Sequence, residues 1–138
     1  MAANRNLRLS PEEYGRRLWD WTALNVCFAH GIRVSDIDGI VERRGSFLVL
    51  EGTRAGLSKK KGQQMMLEAL ARLPGFTVIM IEGNPPFEVK RWRVIGARIS
   101  GTGSDSLIGY ISFWFRKVDC AQGDGQPGLP VVESAERE

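Results

Sequence analysis

Residues 36–53, DIDGIVERRGSFLVLEGT, restrict the fold more than any other stretch of the chain. Two apolar runs flank Arg44-Gly45, a pair suited to a two-residue hairpin turn, in which glycine takes a positive φ without strain. The reading is a β-hairpin with strands near 34–42 and 47–53. With Arg43 opposite Ser46, the register sets Asp38 against Glu51 and Asp36 against Thr53, and a side-chain period of two puts all four on one face. Directly opposed side chains have Cβ atoms only ~5 Å apart. Two carboxylates that close repel unless a positive charge sits between them, and hard oxygen donors suit Mg²⁺ or Mn²⁺. A register slipped by one residue gives the bland alternative, solvated acids on an edge strand.

The flanking segments supply helices and further strands. Ser10, Pro11 and Glu13 form a capping box, and Tyr14, Leu18, Trp21, Leu24 and Phe28 continue it as one apolar stripe ending at Gly31. A second helix runs from about Ser58 to Leu73, where Pro74-Gly75 stops it. Its inward stripe is 63, 66, 67, 70 and 73. FTVIMIEG is a continuous apolar run and reads as a buried central strand. After the NPP turn, FEVKRWRVIGARIS alternates like one more exposed strand. GTGSDS reads as a loop, because it lacks the Lys-Ser/Thr that completes a phosphate-binding loop. Leu107, Ile111, Trp114 and Val118 fit a last helix, although YISFWF could also be a strand. The order α-β-β-α-β-β-α is an α/β fold, a mixed sheet of four to five strands flanked by helices.

At 138 residues the chain is long enough for one domain, assigned to 1–118. Residues 119–138 are rich in Gly, Pro and acids and read as a disordered acidic tail. The formal charge is +3 despite that tail, so the remainder is more basic than the total and favours a polyanionic partner. No apolar run approaches the ~20 residues that span a bilayer, and MAANRNLRLS lacks a signal-peptide core. Cys27, Cys120 and His30 are too few for a structural zinc site. A cytoplasmic protein with no membrane partner is expected.

SDIDGIVERRGSFLVLEGT resembles the core motif of the PD-(D/E)XK phosphodiesterase superfamily: an acid at a strand start, a hairpin, then Glu/Asp-x-Lys. GLSKKKGQQMMLEALARLPGFTVIMIEG resembles the virus-type replication-repair nuclease branch, akin to Holliday-junction resolvases. The resemblance covers about residues 10–83. It implies a restriction-endonuclease-like fold and a metal-dependent DNA endonuclease using Mg²⁺ or Mn²⁺. By the same resemblance, Asp38 and Glu51 are the metal-binding acids, Gly52 offers its carbonyl, and Gln63 contacts the site or the DNA. Helical spacing favours Gln63 over Gln64. Glu13 could complete such a site, but its capping box explains it more simply.

Thr53 departs from the motif. The lysine expected there orients or deprotonates the attacking water and stabilises charge on phosphorus; threonine has no charge and is a poor base near neutral pH. Three accounts stand open. The cation has moved to Arg54, Lys59, Lys60 or Lys61; the protein is an inactive nucleic-acid-binding module; or position 53 carries a substitution. Arg54, Lys59, Lys60, Lys61, Arg91 and Arg93 are the candidate phosphate contacts, with Trp92 either stacking on a base or facing the core. Two-strand cleavage calls for two sites, hence a homodimer. A protein-interaction role is the remoter alternative.

Overall fold

The computed structural model describes residues 10–16, 18–56 and 61–120. The chain divides into two compact units, Met1–Ser35 and Asp36–Glu138. In the first, α1 (Pro11–Arg16) starts where Ser10 Oγ accepts from Glu13 N–H at 3.1 Å. A separate 3₁₀ helix spans Trp21–Cys27. The expected single helix through Phe28 is therefore broken. Asp20 is the reason: its backbone is extended (φ −111°), and its carboxylate accepts from the Thr22 N–H at 3.0 Å and from the Thr22 hydroxyl. A short acidic side chain that caps a new helix competes with continuing the old one. The Thr22 hydroxyl, then the Thr22 N–H, hold the Asp20 carboxyl below the usual carboxylate range.

The second unit contains β1 (Gly39–Arg43), β2 (Ser46–Arg54), α2 (Lys61–Ala71), β3 (Phe76–Asn84), β4 (Glu88–Val94), β5 (Ser100–Thr102) and α3 (Ser104–Cys120). The sheet has five strands in the order β1-β2-β3-β4-β5. β2 and β3 are parallel and the other neighbours antiparallel. It is an α/β fold with a mixed sheet flanked by helices.

The hairpin register is the one the turn dictates, from Gly39 opposite Leu50 to Arg43 opposite Ser46. Arg44 and Gly45 both adopt positive φ (53° and 83°), the geometry that matches strand twist. The ladder begins only at Gly39, so residues 34–38 are not strand as expected. The Asp38 carboxylate takes the Gly52 N–H at 2.8 Å, where a β1 carbonyl would otherwise accept. Asp36 lies outside the ladder, and Thr53 is partnered instead by Glu82 on β3.

Alternation along β2 and β3 sends side chains to two cores. Leu48, Ile79, Trp92 and Val94 pack with Leu107, Trp114 and Val118 of α3. Val49 and Val78 pack with Leu67 of α2, supported by Met66 and Leu70. The YISFWF segment is thus helical, and its Trp114 is an inward residue. Residues 87–100 form a hairpin rather than one strand: Gly96 turns with φ 82° and Val94 N–H donates to Ile99 O at 2.9 Å. Trp92 faces the core, its Nε1 donating to Ser106 Oγ at 2.9 Å. Asp119 belongs to α3 and pairs with Arg43 at 2.5 Å, tying the helix end to the β1–β2 hairpin. The rest of the expected acidic tail, and Lys59 and Lys60, fall outside the described residues. Among the described residues no helix is long and apolar enough to cross a membrane.

Candidate carboxylate site

Glu51 is the one buried charged side chain among the described residues, 1% exposed. Alternation places it on the α2 side of the sheet, two residues beyond Val49, at the carboxyl end of the parallel β2–β3 pair. Ligands in α/β sheets bind outside such strand ends. One turn into α2, Gln63 donates from Nε2 to Glu51 Oε2 at 2.7 Å. The other carboxylate oxygen, Oε1, accepts from the Asp38 backbone N–H at 3.2 Å. Gln64, by contrast, reaches Glu68 at 3.4 Å. The helical stripe that separates Gln63 from Gln64 in the sequence therefore separates them in space.

Asp38 and Glu51 meet through the backbone rather than as a face-to-face ladder pair. Each carboxylate accepts a backbone N–H at or beside the other acid: Glu51 from Asp38, and Asp38 from Gly52. Asp38 itself is exposed. Burying a carboxylate is costly unless hydrogen bonds or opposite charge compensate; the Gln63 amide and the Asp38 N–H are two of the donors to Glu51 and fix its direction. Among the described residues no three His, Cys, Asp or Glu side chains gather as a metal-binding group. The donors at this corner are two carboxylates and the Gly52 carbonyl, a hard-oxygen set that suits a divalent cation with waters completing its shell. Asp38, Glu51 and Gly52 are the residues that could hold such a cation.

Thr53 sits between two hollows. One, about 520 Å³, runs over β3, β4 and β5 beside Gln64 and is lined by Glu82, Arg91, Arg93, Ser100 and Thr102 among others. The second, about 470 Å³, includes Asp38, Gly52, Arg54 and Asn84. The Thr53 hydroxyl is buried with no hydrogen-bond partner among the described residues. Across from it, Glu82 accepts from Arg91 Nε at 2.8 Å and from Gly56 N–H at 3.3 Å. The Arg91 hydrogen bond, then the Gly56 N–H, hold the Glu82 carboxyl below its usual range, and Glu82 in turn raises Arg91.

Of the candidate phosphate contacts, Arg54, Lys61, Arg91 and Arg93 are exposed. Arg91 and Arg93 line the first hollow and Arg54 the second; Lys61 opens α2. Glu82 is the site neighbour that sequence reasoning passed over. Its parity with Met80 and Val78 in FTVIMIEG was the available signal. Against family models, curated proteins and solved structures, the chain has no match.

Proposed function

We propose that the protein is a metal-dependent DNA endonuclease of the PD-(D/E)XK type, hydrolysing phosphodiester bonds beside Asp38, Glu51 and Gly52. The observation that carries this reading is the buried Glu51 carboxylate, directed by Gln63 and by the Asp38 N–H at the end of a parallel strand pair. The element order also supports it: acid, hairpin, Glu-Gly-Thr strand, glutamine-bearing helix, then a buried parallel strand.

Asp38, Glu51 and the Gly52 carbonyl would hold Mg²⁺ or Mn²⁺, which when bound polarises a phosphate oxygen and acidifies a water. Gln63 donates to the Glu51 carboxylate and holds that side chain in one direction. Arg54, Lys61, Arg91 and Arg93, with Lys59 and Lys60 next in sequence, hold the DNA backbone through salt-dependent contacts. Cleavage of both strands uses a two-fold homodimer in the cytoplasm.

The test is cleavage of labelled single-stranded, duplex, flapped and four-way DNA with Mg²⁺ or Mn²⁺. The parent is expected to cut at least one substrate, and Glu51→Gln to cut none. If neither the parent nor Thr53→Lys cuts any of them, the non-catalytic nucleic-acid-binding module takes its place. Thr53, which offers neither charge nor base, is the residue that favours that second reading.

A further inference from the structure

Threonine at the motif's lysine position removes a cation from the site, yet the same face of the sheet carries two arginines. Ladder partners share a face. The register therefore lines up Glu51, Met80 and Arg93 in one row, and Thr53, Glu82 and Arg91 in the next. In the second row Glu82 stands between Thr53 and Arg91 and grips the guanidinium at 2.8 Å. The first row differs. Met80 has no charge to offer, and Arg93 makes no side-chain hydrogen bond or ion pair among the described residues. Neighbouring strands lie ~4.8 Å apart, so the Glu51 and Arg93 Cα atoms are about 10 Å apart, with only Met80 between them in the row. Arg93 also faces the hollow that Thr53 lines.

We propose that Arg93 is the displaced cation of this site: its guanidinium binds the non-bridging oxygens of the phosphate being cleaved and stabilises the charge that builds on them. This rests on the nuclease reading above. A planar guanidinium matches phosphate oxygens two at a time and stays protonated at any working pH. For that reason it takes no proton. As the water oxygen bonds to phosphorus, the bond to the leaving oxygen breaks. The water's proton passes to solvent, and the leaving oxygen takes one from solvent. Arg93 supplies only the electrostatic half of the lysine's work.

The experiment compares cleavage kinetics of the parent, Arg93→Gln, Arg93→Lys, Thr53→Lys, and Thr53→Lys combined with Arg93→Gln, using Mn²⁺ and the four DNA substrates. Arg93→Gln should lower kcat about 10²–10³-fold, with KM rising far less than kcat falls and the thermal midpoint close to the parent's. Arg93→Lys should restore part of the loss. Thr53→Lys should add little to the parent and restore much of kcat to the Arg93→Gln chain. Arg116→Gln, an exposed arginine on α3, should track the parent. A change in KM alone would reduce Arg93 to holding substrate and overturn the proposal. So would full activity in Arg93→Gln alongside its loss on alanine substitution of Lys59 or Lys60. A parent silent until Thr53→Lys is introduced overturns the Arg93 role and leaves the nuclease reading standing. Cutting that survives Glu51→Gln, or silence in both parent and Thr53→Lys, sinks the nuclease reading and the Arg93 role with it.

Discussion

Replacing Thr53 with valine isolates what its hydroxyl does. The two side chains have nearly the same shape, and β2 is a strand, where valine is at ease. In the folded protein Thr53 Oγ1 is buried with no hydrogen-bond partner among the described residues, whereas in the unfolded chain it is hydrated. A buried hydroxyl without a partner costs about 1–3 kcal/mol in proteins. Thr53→Val removes that cost and adds a buried methyl, so the expected gain is about 1–2 kcal/mol. Near this chain length that raises the thermal midpoint by about 3–6 °C. Urea unfolding should show a higher midpoint at an unchanged m value, which assigns the effect to stability rather than to a more compact denatured state. A lower midpoint would refute the reasoning, because it would mean that the hydroxyl has a partner in solution and contributes to the fold.

Other perturbations have equally definite outcomes. A Cβ on Gly101 would lie 2.8 Å from Trp92 Cζ2, so Gly101→Ala should destabilise the protein by about 1–3 kcal/mol, read by urea unfolding. Gln63→Ala removes the amide that holds Glu51; second-sphere losses of this kind weaken metal affinity about 10–100-fold, read by titration with Mn²⁺. Glu82 is held below its usual range by Arg91. A depressed carboxylate adds stability above its unfolded value, about 4.3, and that stability is lost as pH falls through the lower folded value. Parent and Glu82→Gln should therefore differ in urea midpoint at pH 6 and converge toward pH 3; a constant difference would remove the ion pair as its cause.

Much of the second unit is legible in the chain because each signal there is local. Arg44-Gly45 sets the turn, the turn sets the register, and the register brings Glu51 beside Asp38. Helical spacing alone selects Gln63 over Gln64, and the FTVIMIEG run is long and apolar enough to be central. What escapes the sequence depends on side chains overriding backbone pattern. Asp20 caps a new helix within a continuous apolar stripe. Asp38 replaces a ladder carbonyl, and β1 begins five residues later than alternation places it. Gly96, an ordinary glycine in an alternating run, folds the segment back so that β5 covers β4. The neighbours of Thr53 are hidden for another reason. Glu82, Arg91 and Arg93 reach its face only through a parallel pairing and an antiparallel one, and neither register is written in the local spacing.

Calorimetric titration of the intact chain with Mn²⁺, beside Asp38→Ala, tests most directly whether this carboxylate corner is a metal centre. Asp38 is exposed, and its removal frees one backbone N–H while leaving both cores intact. The parent should bind the cation with a measurable heat, and Asp38→Ala should bind it at least 10-fold more weakly at an unchanged fold by circular dichroism. No heat in the parent, or equal affinity in the variant, would contradict the assignment of Asp38, Glu51 and Gly52 to a metal.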